Sequence, residues 1–137
     1  MEIFYFDPDR QRAETNIDTM RQRILNGHNI QLYDKWDEAE QKLAGQNFDA
    51  YFFPANSAYL EEFIDTLLLY CETQGHCPKI FLVGEEKMHR ETARETETLG
   101  NDIGVRCIAK PVDAMPNGSI KPNGLDVVVK HLGLRAN

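Results

Sequence analysis

Apolar and polar positions along this chain follow two periods that take turns. Five short apolar runs, "IFYF" (3–6), "NIQLY" (29–33), "DAYFF" (49–53), "PKIFLVG" (78–84) and "GVRCIAKP" (104–111), are each bounded by Pro, Gly, Asn or Asp and read as strands. Between them the spacing becomes helical. Ala13, Ile17, Met20 and Ile24 recur every three or four residues until Asn26-Gly27 ends the run. "WDEAEQKLAGQN" gives a short second helix with Asp37 as its cap and Gly45 near its end. Asn56 or Ser57 is placed to cap a third, whose Leu60, Phe63, Ile64, Leu67, Leu68 and Cys71 share one face. "EEKMHRETARETETLG" is helical by propensity, but only Met88, Ala93 and Leu99 give it an apolar stripe, so a weakly anchored, mostly solvated helix is expected. "LDVVVKHLGL" closes the chain as a fifth helix.

Strands that alternate with helices must cross over to rejoin one sheet in the same direction. The expected fold is therefore α/β: a single doubly wound, five-stranded parallel sheet with helices on both faces. One domain is expected over residues 1–137, with a loop insertion at about 112–124 before the last helix. That segment, "VDAMPNGSIKPNG", holds Pro116, Pro122 and two Asn-Gly pairs and reads as a loop with a tight hairpin.

Charge narrows the function classes. Fifteen Lys and Arg stand against 22 Asp and Glu, a net charge of −7, which is the wrong sign for a phosphate-binding surface, so no direct nucleic acid binding is expected. No apolar run is long enough to span a bilayer, and the first residues lack the basic start and cleavage site of a signal peptide, which points to the cytoplasm and away from membranes. Cys71, Cys77 and Cys107 form no CxxC pair and read as reduced thiols. "CETQGHCP", with His76 beside Cys77, reads as a helix end and turn because a structural zinc needs a second ligand cluster.

In folds of this kind the chemistry sits outside the carboxyl ends of the strands. Those ends carry Asp7, Pro8 and Asp9, then Pro54, then Val83, then Lys110 and Pro111. The order of elements, the separations between these positions and the ending "AKPVD" resemble the receiver domain of bacterial two-component response regulators. The resemblance covers nearly the whole chain and implies a CheY-like fold and a role in signal transduction. It aligns Asp7 with the first acid of the family's acidic pair and Pro8 with the second. Pro54 falls on the phosphate-accepting aspartate, Val83 on the Thr or Ser, and Lys110 on the lysine that precedes Pro111.

The chemistry at those positions is mostly gone. Pro54 offers no nucleophile. Val83 offers no hydroxyl, and Asp7 and Asp9 are the remaining weak candidates for metal ligands, so no metal or other cofactor is expected, magnesium included. The implied function is that of a degenerate pseudo-receiver: a phosphorylation-independent signalling module, not an enzyme, that binds a protein partner or forms a homodimer through its fourth helix, fifth strand and last helix. Asp7 and Lys110 have two readings, a structural ion pair beside a cis Lys110-Pro111 bond or a residual anion site. Two further alternatives stay open. "FYFDPDR" resembles the Asp-x-Asp of haloacid dehalogenase phosphotransferases, with Glu85 and Glu86 as a loose second acidic pair, and a receiver phosphorylated on Asp9 would use a non-standard aspartate. Trp36 and Tyr33 read as aromatics packed on a helix edge, and His28, His89 and His131 as scattered and solvated.

Overall fold

The computed structural model describes residues 1–24, 27–85 and 88–134. Five parallel strands, β1 (Glu2–Phe6), β2 (Asn29–Tyr33), β3 (Ala50–Pro54), β4 (Lys79–Gly84) and β5 (Ile108–Asp113), form one sheet in the order β2-β1-β3-β4-β5. The helices are α1 (Arg10–Arg23), α2 (Trp36–Leu43), α3 (Leu60–Gln74), α4 (Met88–Asp102) and α5 (Asp126–Leu132). The expected fold class is the observed one.

Each face of the sheet has its own core. Alternate residues of β1 and β3 send Phe4, Phe6, Tyr51 and Phe53 to the side of α2, α3 and α4, where they meet Trp36, Phe63 and Leu67. Phe53 and Phe63 stack with centroids 4.1 Å apart. Burying a side chain of this size contributes about 1.5–3 kcal/mol, so this aromatic layer stabilises the fold substantially. The opposite residues, Ile3, Tyr5, Phe52 and Phe81, face Ala13, Ile17 and Met20 of α1 and Val128 of α5. Trp36 is buried here, donating its ring N–H to Glu62 at 2.9 Å, and Tyr33 stacks on Phe4, so both aromatics pack as the sequence suggested.

Several boundaries differ from expectation. Asp37 lies inside the first turn of α2, which begins at Trp36 without a side-chain cap, and α3 starts after Tyr59, the Ser57 hydroxyl accepting only the Tyr59 N–H. A turn of 3-10 helix, Pro122–Leu125, precedes α5. The fourth helix is better anchored than its sparse stripe implied: His89 and Thr96 are buried beside Ala93, while Arg90, Glu91, Arg94 and Glu95 form the exposed face. Small and polar side chains do the anchoring, which a count of large apolar residues cannot register.

Of the two strand-end prolines, Pro54 is the last residue of β3 and Pro111 lies inside β5. Ala55 N–H donates to Val83 O at 2.8 Å, so by alternation the nitrogen of Pro54 turns toward β1, whose ladder with β3 ends at Tyr5 and Phe52. Having no N–H to offer, the proline adds no further rung beyond that pair. Likewise Ala114 N–H donates to Gly84 O at 2.9 Å, which turns the Pro111 nitrogen to the open side of the edge strand β5. That strand runs on to Asp113, and the Lys110-Pro111 bond is trans, not cis.

Candidate functional site

At the carboxyl ends of β1, β3, β4 and β5 lies a cavity of about 530 Å³. Its charged wall is built by α1. Asp9 caps this helix through its carboxylate, which accepts the Arg12 N–H at 3.1 Å, and the first turn brings the Arg12 side chain back over the end of β1. There Arg12 Nε donates to Asp7 Oδ2 at 2.8 Å and Arg12 Nη2 to Asp7 Oδ1 at 2.6 Å, a two-pronged pair. The Asp9 N–H donates to Asp7 Oδ1 as well, at 2.9 Å. Both oxygens of Asp7, a residue 3% exposed, are thus engaged. Hydrogen bonding to Asp7 also holds the Arg12 guanidinium protonated beyond its already high ordinary value.

The loop after β5 forms the roof. Ala114 and Ile120 make an antiparallel bridge, and Gly118 N–H donates to Met115 O at 2.8 Å, giving the tight hairpin read from the Asn-Gly pair. Gly118 has φ of 88°, and a side chain there would run into Cδ of Arg12, so glycine is required on both grounds. Asn16, buried on α1, ties the hairpin down: its amide donates to Gly118 O at 3.0 Å and its oxygen accepts the Ile120 N–H at 3.0 Å. The same amide reaches the Tyr5 hydroxyl at 3.3 Å, and burial pushes the pKa of that phenol up. The insertion therefore closes over α1 and the strand ends.

The fourth wall holds His89, which is fully buried and not solvated as its lone occurrence suggested. Its Nε2 lies 2.7 Å from Asp113 Oδ1. Its Nδ1 is buried with no hydrogen-bond partner among the described residues. His28, by contrast, is half-exposed beside the amino terminus, with its Nδ1 3.0 Å from the Met1 nitrogen, and His131 is half-exposed on α5, where desolvation lowers its pKa.

The sequence-read site is brought together only in part. Asp7, Pro54 and Val83 line one cavity, Pro54 and Val83 as paired neighbours across β3 and β4. Lys110 does not join them. It pairs with Phe81, two residues short of the Val83 level, and its Nζ lies 3.1 Å from Glu97 Oε1 at the sheet edge. With β1 and β5 three strand spacings apart, roughly 14 Å, the expected Asp7–Lys110 pair is replaced by Asp7–Arg12. Pro8 and Asp9 are exposed, Asp9 being occupied as a helix cap. Glu85 reaches the cavity rim, and Glu86 lies outside the described residues. Nor does the donor set fit magnesium. Asp7 is saturated by Arg12, Pro8 and Pro54 bring no oxygen-donor side chain, and no cluster of three or more His, Cys, Asp or Glu able to hold a metal occurs among the described residues. Cys71 and Cys107 are buried, and desolvation pushes both thiols up to about 12, which removes them as nucleophiles.

Sequence reasoning missed Arg12, Asn16, His89 and Asp113. Only Arg12 left a trace, as a cation one helical turn past an acidic strand end.

No protein-family model matches the sequence, and no curated protein is significantly similar to it. Solved structures are similar in fold. A CheY-like response regulator receiver domain from Methanospirillum hungatei superposes with a TM-score of 0.57 at 12% identity, covering 96% of this chain and 93% of that one. A response regulator from Colwellia psychrerythraea gives 0.59 at 13% identity, covering 96% and 93%. The fold is that of a receiver domain. A de novo designed Rossmann 2x3 fold protein superposes equally well, with a TM-score of 0.61 at 13% identity over 96% of this chain and 89% of that one. Receiver-like topology thus comes from packing rules that a designed chain obeys without an evolved function, and function has to be argued from the site. No helix among the described residues is long and apolar enough to cross a membrane.

Proposed function

We propose that this chain is a receiver-fold signalling module that works without phosphorylation and acts by binding another protein. One observation carries this reading. Where a receiver's chemistry would be assembled, the end of β3 is Pro54, and Asp7, the one buried acid among the described residues, has both oxygens held by Arg12 and the Asp9 N–H. A guanidinium in this place supplies permanently the positive charge that a metal ion would otherwise supply on binding. The site is then fixed in one electrostatic state, which suits a scaffold.

The partner, or a second copy of the chain, docks in this proposal on α4, β5 and α5. The Glu97–Lys110 pair lies on that face, and so does Lys79, whose Nζ donates to His131 O at 3.0 Å. The phosphotransferase alternative gains no support: Asp7 as nucleophile would have to leave Arg12, and Asp9 would have to uncap α1 to act as acid or base.

The test is intact mass after incubation with acetyl phosphate and magnesium, with Asp7→Asn and Asp9→Asn as controls. No added phosphoryl mass is expected in any of the three proteins. An adduct on the unaltered chain that disappears with either substitution overturns the proposal and moves the chemistry to the end of β1.

A further inference from the structure

We propose that the groove between α3 and α4 docks a basic amphipathic helix of a partner protein, its apolar side chains on Ile64 and Leu99 and its Lys and Arg side chains against Glu61, Asp65 and Glu95. The groove lies on the opposite flank of α4 from β5, so it stands or falls separately from the face made by α4, β5 and α5.

Both helices return from parallel strands in the same direction and pack on the same face of the sheet, so they run side by side. Between them lies an open groove of about 230 Å³, with Leu60 and Ile64 from α3 and Thr96 and Leu99 from α4 along it. That volume is below the range of small-ligand sites, about 300–1,000 Å³, and suits side chains delivered by a partner. Neither wall is a strand edge, so the mode that fits is a helix laid into the groove. Its floor is buried, Ile64 at 8% and Thr96 at 2% exposed, while Leu99 on the α4 wall leaves 41% of its surface in water. The Thr96 hydroxyl is already used, donating to Thr92 O at 2.8 Å. Apolar contact is what this floor offers an occupant.

Charge then names the occupant. Glu61 and Asp65 from α3 and Glu95 from α4 border the groove, and no Lys or Arg does among the described residues. None of the three is in an ion pair among the described residues, and α3 contains no Lys or Arg at all. The cations of α4 stand elsewhere. By helical spacing Arg90 and Arg94 share a face with Glu97, whose Oε1 lies 3.1 Å from Lys110 Nζ on β5, so they take the flank away from α3. Three carboxylates around an apolar floor repel one another, and a Lys or Arg flanking an inserted apolar side chain relieves that repulsion. An uncharged helix leaves it in place. The same field opposes nucleic acid, anionic lipid and a second copy of a chain whose net charge is −7.

The experiment is a ¹⁵N-edited NMR titration of the full chain with a helical peptide that carries Leu at i, i+3, i+4 and i+7 and Lys elsewhere, against a twin with Glu in place of every Lys. The Lys peptide is expected to shift the amides of Leu60, Ile64, Asp65, Glu95, Thr96 and Leu99, and the Glu twin to leave them unmoved. Asp65→Lys combined with Glu95→Lys should weaken binding about tenfold or more. Asp18→Lys combined with Glu40→Lys makes the same change of net charge on α1 and α2 and should weaken it by less than about threefold, because charges remote from the groove are screened. Leu99→Gln should weaken it about threefold to tenfold by removing apolar contact. All five positions are exposed, so the spectra should stay folded. The proposal is overturned if the Lys peptide leaves the groove amides unmoved, if its shifts fall on β5 and α5 in their place, if the Glu twin binds as tightly, or if the two paired reversals weaken binding equally. It is overturned as well if the groove amides shift with protein concentration alone, which would make the occupant a second copy.

Discussion

Asp7 and His89 are both buried, both polar and both on the wall of one cavity, yet the fold provides for them in opposite ways. Asp7 receives three hydrogen bonds and a matching positive charge. Among the described residues His89 has a partner for Nε2 and none for Nδ1. A satisfied buried acid is a structural element whose removal or isolation costs stability. A buried ring nitrogen without a partner contributes no hydrogen bond at that atom, so His89 is held through Asp113 and by packing. The difference separates an acid locked by its partners from a ring held through Nε2.

The sharpest way to break this comparison is Arg12→Ala, which leaves Asp7 buried without its cation. A loss of about 2–3 kcal/mol in urea unfolding is expected, below the full value of an isolated buried ion pair because the Arg12 side chain is 32% exposed and water can enter its place. His89→Phe should cost less, under about 1 kcal/mol by the same measurement. An aromatic ring of slightly larger size is kept, the unsatisfied nitrogen is removed, and Asp113, whose side chain is 23% exposed, can turn to water. If the two substitutions cost the same, His89 is as structural as Asp7 and the distinction falls. Smallest is Lys110→Met, expected to change stability by less than about 0.5 kcal/mol and to erase only a weak salt dependence, because its pair with Glu97 lies at the surface while Glu97 keeps the Ala109 N–H. A loss as large as that of Arg12→Ala would restore Lys110 to the site.

How much of the site was legible follows from how far apart its partners lie. Asp7, Pro54 and Val83 were found because each ends an apolar run, and a strand end is a local feature. Lys110 was misplaced by the same rule: the apolar run stops at Ala109, but β5 is an edge strand whose polar residues can face water, so it pairs on to Asp113. His89 was read as solvated because it sits in a run of charged residues, and only the approach of α4 to Asp113 buries it. Asn16 bonds to a carbonyl 102 residues away, a partnership that no window along the chain can contain.

The sequence by itself determined that strands and helices alternate, that their crossovers build one parallel sheet covered on both faces, and that a proline stands where the receiver resemblance puts the phosphate acceptor. Those properties are carried by period and by residue type, which are written locally. Tertiary structure decided that Arg12 rather than Lys110 answers Asp7, that the hairpin roofs the strand ends, and that α4 buries His89 against Asp113. Hydrogen-bond register and burial are set by which elements come into contact, and a level change of two residues, about 7 Å along a strand, is enough to take a lysine out of a site.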